Sequence, residues 1–249
     1  MSRPGCDCNA WRRAATLREL RPSGRTAIPA GRRSVERGEQ VVYSRGRLAY
    51  KSKSGPEKIV PILLAAGPSR RLPFPKALAP FGHKTALEIA VDNCAGYERP
   101  IVVLGCQAQR IRKAVPAGVR LVLNRRWRRG QLSSLLAALR LVARDAPFLV
   151  YPVDHPLLTA SIVRRMCRAF ARRRRGQKIA LPVYRGRVGH PAIFAPEIRE
   201  ELRRARTARE VVHRDLRRVN FVKIKSPGIW LDFDTTASYR RCLREFKAR

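Results

Sequence analysis

Between Ile59 and Lys76 the chain reads I-V-P-I-L-L-A-A-G-P-S-R-R-L-P-F-P-K, an apolar run that ends at Gly67 and opens into a loop carrying Ser69, Arg70, Arg71 and Lys76. A continuous Ile/Leu run bounded by glycine suits a strand buried on both faces. Gly67 permits a sharp backbone turn and the close approach of a ligand. The loop beyond it offers N–H donors, a hydroxyl and fixed cations, the chemistry that binds a triphosphate. Lys76 stands nine residues past a lone glycine, so neither G-x-x-x-x-G-K-[ST] nor G-x-G-x-x-G is present. Asp154 closes a second apolar run, Phe148–Val153, and Asp232 and Asp234 flank Phe233 near the end of the chain. A carboxylate at a strand's carboxyl end among so many cations suits Mg²⁺, which takes one or two carboxylates together with substrate phosphates. Gly130 precedes Ser133 and Ser134, where the first turn of a helix would supply N–H groups and partial positive charge.

The elements that must hold these residues follow from hydrophobic spacing. Helices are predicted over Thr85–Cys94, Gln107–Val115, Gln131–Ala143, Ser161–Arg174, Pro196–Arg204 and Thr236–Phe246. Strands are predicted over Ile101–Leu104, Val119–Leu123, Phe148–Val153, Ile179–Val183, His190–Phe194, Val219–Ile224 and Ile229–Phe233, besides the run that ends at Gly67. Alternation of strands with helices of this length argues for right-handed βαβ units and a mainly parallel sheet. Such sheets bind ligands beyond the carboxyl ends of their strands. Gly67, Gly105, Asn124 and Asp154 all fall just past predicted strand ends and should face one crevice. Asp232 and Asp234, two apart on a strand, would point to the same side.

Taken together, L-A-A-G-x-S-x-R-L with Lys76, N-R-R-W-R-R-G-Q-L-S-S from Asn124 to Ser134, Asp154-His155-Pro156, Gly189-His190-Pro191 and Asp232-Phe233-Asp234-Thr235 occur in the order of the MobA-like NTP transferases. The chain resembles that family from about Ile59 to Phe246, and within it the molybdenum-cofactor cytidylyltransferase group. The resemblance implies an α/β fold, a Rossmann-like three-layer α/β/α sandwich with a mainly parallel mixed sheet of the nucleotide-diphospho-sugar transferase type. It implies nucleotide contacts from Leu64, Ala65, Ala66, Gly67, Ser69, Arg71, Lys76, Asn124, Gly130 and Ser134, with Arg71 and Lys76 catalytic. It places Mg²⁺ on Asp154 with Asp234, Asp232 being the second choice, and an acceptor pocket at His155, Pro156, Gly189, His190 and Pro191. His190 reads equally as a buried, hydrogen-bonded histidine. The implied reaction moves a nucleoside monophosphate, CMP from CTP by the Ala-Ala-Gly form of the loop, onto a phosphate-bearing acceptor such as molybdopterin. A molybdoenzyme or its chaperone would then be a partner. Two departures stand out: Thr236-Ala237-Ser238 replaces the family's Pro and acidic residues, and Pro73 replaces a loop glycine. Two other readings stay open, transfer onto a sugar or other small-molecule phosphate and a nucleic-acid-binding protein on a degenerate fold.

The composition bounds these readings. The 249 residues carry a net charge of +36, distributed as +8 over residues 1–57 and +28 over the rest. Such a surface attracts nucleic acid, anionic membranes and polyanionic substrates alike, and an Arg-rich proteome with solvated helix faces accounts for it equally well. Residues 1–57 are read as a basic extension, mostly disordered up to about Gly55-Pro56, with a short helix over Asn9–Leu20 and a weak hairpin over Gln40–Tyr50; residues 58–249 form the transferase domain. The extension lacks the apolar core of a secretory signal. It is Arg-rich and acid-poor as transit peptides are, and a mistaken upstream start codon would look the same. Six cysteines without C-x-x-C or zinc spacing fit a reducing cytoplasm. No apolar run approaches the ~18 residues of a membrane span.

Overall fold

The computed structural model describes residues 59–249 and, by backbone alone, the strand Val42–Ser44. That strand, β1, lies antiparallel along β6 (Arg120–Leu123). The remainder of the hairpin expected over Gln40–Tyr50, the helix over Asn9–Leu20 and the disorder expected up to Pro56 lie outside the described residues.

The centre of the sheet is β2 (Val60–Ala65), buried at all six positions. It pairs in parallel with β5 (Ile101–Leu104) on one side and β7 (Phe148–Pro152) on the other. The sheet then runs β6-β5-β2-β7-β10-β8-β11, with β8 at Ile179–Tyr184, β10 at Ala192–Phe194 and β11 at Val219–Lys223. β10 runs antiparallel between β7 and β8, which makes the sheet mixed. A short β9 (Arg187–Val188) folds back on β8.

Burial on both faces explains the apolar run. Leu63 and Ala65 join a cluster with Leu87 and Ala90 of α1 (Ala86–Asn93), Ile111 of α2 (Ala108–Lys113), and Val163, Met166 and Phe170 of α4 (Ala160–Ala171). Val60, Ile62 and Leu64 point the other way, against Leu132 and Leu135 of α3 (Gln131–Leu139), Ile198 and Leu202 of α5 (Ile198–Arg204), and Val211 of α6 (Ala208–His213). The period-two alternation of β2 thus joins two helical layers through one strand. From β2 the chain steps outward to β5 and β6, then returns to the other side of β2 with β7. The crevice between β2 and β7 is therefore the switch point at which open α/β sheets bind ligands.

A third cluster fixes the loop beyond Gly67. Leu72, Phe81, Phe233, Tyr239 and Cys242 are buried together, with Phe74 and Phe246 packed against them. Phe81 lies within 5.5 Å of the rings of Phe233, Tyr239 and Phe246. The Tyr239 hydroxyl donates to the Pro80 carbonyl at 2.6 Å. This cluster ties the two-stranded β3-β4 hairpin (Pro80–Phe81 and Lys84–Thr85) to the closing helix α7 (Thr236–Lys247), and so ties the two ends of the domain.

Three expectations need correction. Ile229–Phe233 is not a strand: Pro227–Ile229 forms one 3₁₀ turn and the chain continues without ladder pairing. Pro227 has no N–H to give a ladder, and Gly228 is pressed so close that a Cβ would stand 2.6 Å from the Leu157 carbonyl oxygen. Second, α6 and the β3-β4 hairpin were not predicted, because six- and two-residue elements are too short to show a period. Third, α3 stops at Leu139 and not at Ala143; there the buried Arg199 guanidinium donates to the carbonyls of Leu139, Val142 and Ala143. No described helix is long and apolar enough to cross a membrane. Cys94, Cys106, Cys167 and Cys242 form no disulfide.

Candidate active site

The loop after β2 is held by its own side chains. Ser69 Oγ accepts from the Lys76 backbone N–H at 2.8 Å, and Leu72 N–H donates to the Ser69 carbonyl at 3.3 Å. This closure aims Lys76 back over the end of the sheet, where Nζ donates to Asp154 Oδ2 at 2.9 Å and also to Asp234 Oδ1. Asp234 accepts a further bond from Arg71 at 3.2 Å. One carboxylate oxygen from each of Asp154, Asp232 and Asp234 lies within 4.8 Å of the others. Asp154 arrives at the end of β7, and the Phe233 N–H donates to its carbonyl at 3.2 Å, so the backbone after the 3₁₀ turn is pinned against the same strand end.

The residues that depart from the family pattern have a place in this arrangement. Ser238 Oγ accepts from the backbone N–H of both Asp234 and Thr235, at 2.9 and 3.0 Å, while Thr235 Oγ1 accepts from Ser238 N–H. The pair is a capping box for α7. Ser238 thus orients Asp234 with a hydroxyl. Pro73 is exposed, at the outer edge of the loop.

Electrostatics keep the cluster charged. Burial alone would lower the Lys76 pKa, but Asp154 and Asp234 outweigh it and hold the ammonium above its ordinary value. Burial would raise the Asp154 carboxyl; the hydrogen bond and charge of His155, with those of Lys76, hold it well below the usual carboxylate range. His155 Nδ1 stands 3.2 Å from Asp154 Oδ1, and its ring meets that of His190 edge-on at 4.8 Å between centroids. Burial, then the neighbouring His155, pushes His190 down to about 3, so this imidazole is neutral.

The expected nucleotide residues do not all share one space. Leu64, Ala65, Ala66, Gly67, Lys76, Gly130, Ser134 and Asp154 line one cavity of about 190 Å³. Gly67 has negative or extended φ and open space where a Cβ would sit, so it is not forced by the turn; its bareness leaves the strand end open to an approaching ligand. Gly105 is a glycine for another reason: a Cβ there would lie 2.7 Å from both the Ala66 carbonyl oxygen and Trp127 Cβ. Gly130, at φ 93° and ψ −179°, occupies backbone space that only glycine adopts readily, and so starts α3 abruptly. Asn124 is buried and does not line this cavity; its Nδ2 donates to Ser133 Oγ and Ser134 Oγ, and its Oδ1 accepts from Arg126 N–H. Its role is to fix the turn before α3. Ser69 likewise holds the loop and Arg71 reaches the cluster from the exposed side, so neither is a wall of the cavity.

The acceptor set also divides. His190 lines an adjoining cavity of about 230 Å³, which shares Leu64, Gly130 and Gln131 with the first. Gly189 is a packing glycine, its missing Cβ falling 2.1 Å from the Ile229 carbonyl oxygen. Pro191, joined to His190 by a cis peptide bond, is buried, as are His155 and Pro156, and none of these four lines either cavity. Trp127 and Gln131, not predicted as site residues, are walls of the first cavity; their signal was present in the Asn124–Ser134 motif itself.

Residues 61–221 match the model of the MobA-like NTP transferase domain. The chain belongs to this family. Among solved structures, Rv0371c from Mycobacterium tuberculosis H37Rv aligns at TM-score 0.65 with 28% identity, over 75% of this chain and 98% of that one. Rv0371c has also been solved in complex with manganese, aligning at TM-score 0.62. A nucleotidyl transferase from Methanothermobacter, at 22% identity and TM-score 0.66 over 77% and 98% of the two chains, shares the fold. The mixed, mainly parallel sheet is that of nucleotide-diphospho-sugar transferase structures. Nicotine blue oxidoreductase of Paenarthrobacter nicotinovorans is 36% identical over 109 residues, 42% of this chain. The chain spans about half, 53%, of the length of that curated relative. The family is thus that of the NTP transferases, and the relatives at hand do not single out the cytidylyltransferase group.

Proposed function

We propose that this transferase moves a nucleoside monophosphate, CMP from CTP, onto the terminal phosphate of a small acceptor such as the molybdenum cofactor, releasing pyrophosphate. The observation that carries the reading is Lys76, whose ammonium bridges Asp154 and Asp234 at the mouth of the cavity walled by Leu64–Gly67. Cation and carboxylates are thereby gathered where the sheet switches direction, the place a triphosphate would enter.

The donor set fits a hard divalent cation, because three carboxylates within 4.8 Å of one another offer oxygens only. Asp154 and Asp234, with Asp232 at the exposed edge, would hold Mg²⁺, which when bound supplies charge neutralisation at the α-phosphate. The chain's own residues do the rest. The open backbone after Ala66 admits the phosphates. Arg71 would hold the leaving pyrophosphate, and Lys76 would stabilise charge developing on the transferred group. An acceptor phosphate is already an anionic nucleophile, so no strong base is required, and a neutral His190 is consistent with that. His155 keeps Asp154 ionised and oriented. The CTP preference rests on the likeness of the Leu64–Gly67 loop to the cytidylyltransferase group. Transfer onto a sugar phosphate or another small phosphate would use the same loop and carboxylates.

The test is incubation of the full chain with Mg²⁺, molybdenum cofactor or a sugar phosphate, and each of the four NTPs, followed by pyrophosphate assay and mass analysis. A CMP adduct of the cofactor is the expected product. Pyrophosphate release from no NTP with any acceptor, or release unaffected by Asp154→Ala, would overturn the proposal.

A further inference from the structure

We infer that the acceptor carries a second anionic group besides its reacting phosphate, attached to an apolar body, and that Arg206 and Arg209, with Arg129, bind it. The inference rests on reading the neighbouring 190 Å³ cavity as the nucleotide site. The adjoining 230 Å³ cavity has an apolar floor of Leu132, Leu135, Val150 and Phe194, large enough for a compact ring. Its rim differs from its floor. Arg129, Arg206 and Arg209 all line it, and no carboxylate does. The Arg129 and Arg206 guanidinium groups have no acidic partner among the described residues, and Arg209 reaches only His213, at 3.4 Å. The adjacent Glu210 carboxylate is taken up by the Arg206 backbone N–H and the Arg214 side chain, each at 2.9 Å, and like charges gathered on one concave rim repel one another unless an anion joins them. His190 lies on the same wall, its Nδ1 turned inward and shut off from the cavity. The floor would take the body of the acceptor and the arginines the charge at its far end. The shared walls Leu64 and Gly130 place the near end beside the carboxylates.

The probes are benzyl phosphate and 4-carboxybenzyl phosphate, which differ only by the second anion. Each is titrated calorimetrically into the full chain with Mg²⁺ and α,β-methylene CTP. The carboxylated probe should bind about tenfold more tightly, as one charge-assisted guanidinium contact allows. R206A/R209A should reduce that preference to within about twofold while leaving the affinity for the CTP analogue within about twofold of the parent. R168A/R172A, which removes the same charge from the exposed last turn and C-cap of α4, should leave the preference intact. Equal binding of the two probes, binding of neither, or a preference that survives R206A/R209A or falls equally in R168A/R172A would overturn the inference. If the CTP analogue does not bind but the preference follows Arg206 and Arg209, the nucleotide reading fails and the anion site stands. If CMP transfer proceeds without any preference, the anion site alone fails.

Discussion

Replacing Lys76 by alanine should uncouple cation binding from turnover. Nζ lies 2.9 Å from Asp154 Oδ2, with side-chain exposures of 18% and 23%, and it also meets the more exposed Asp234. A pair of unit charges at about 4 Å interacts by roughly 4 kcal/mol at an effective dielectric of 20. Solvent at Asp234 and the ability of the lysine to swing aside reduce this, so about 1.5–3 kcal/mol is expected. The ammonium and a divalent cation compete for the same carboxylate oxygens. Without nucleotide, K76A should therefore bind Mn²⁺ roughly ten- to a hundredfold more tightly than the parent, by that same energy. With nucleotide, the lost cation can no longer stabilise the transferred group, and kcat should fall on the order of 10²–10³-fold. Thermal stability without metal should drop by about 1–3 kcal/mol, because two carboxylates are left facing each other. Electron paramagnetic resonance of Mn²⁺ gives the affinity, and pyrophosphate release gives the turnover. Unchanged or weaker Mn²⁺ binding in K76A would refute the shared-site reasoning. Tighter Mn²⁺ binding with normal kcat would refute only the catalytic role of Lys76.

Other changes probe the frame around that cluster. Asp234→Asn should weaken Mn²⁺ binding more than Asp232→Asn, since the Asp234 carboxylate is held by Lys76 and Arg71 and its backbone N–H by the Ser238 hydroxyl; equal losses in equilibrium dialysis would contradict this. Gly105→Ala forces a Cβ to 2.7 Å from the Ala66 backbone and Trp127, so a cost of about 2–4 kcal/mol in urea unfolding is expected, with a raised KM for NTP because Ala66 begins the loop. Glu201 takes two bonds from Arg218, at 2.6 and 3.1 Å, and Arg218 holds its carboxyl below the ordinary value. A depressed folded pKa gives stability that is present above the unfolded value and lost as pH falls through the folded one. Glu201→Gln should thus remove about 1 kcal/mol near pH 7 and flatten the decline below about pH 4.5, read from denaturation midpoints across pH.

Much of this chain's fold was legible before folding. Strands buried on both faces must be continuously apolar, so β2, β5 and β7 showed as runs, and Gly67 and Asp154, which close two of them, line the candidate cavity. The family motifs named most residues of the crevice because local spacing alone, Gly130 to Ser134 for instance, sets the geometry of a loop entering a helix. What the chain order could not decide is which distant segments share that edge. Residues near Gly228 were expected as a strand because Ile229–Phe233 is apolar. Their apolar character instead serves the aromatic cluster of Phe81, Phe233 and Tyr239, a packing demand with no period. That cluster brings Asp234 to Lys76 across 158 positions of sequence, and the Ser238 hydroxyl accepts from its backbone N–H there. The division is physical: periodicity and turn chemistry act between neighbours and are written in order along the chain, whereas a charge pair depends on a distance in space, and only the packed sheet and closing helix set that distance.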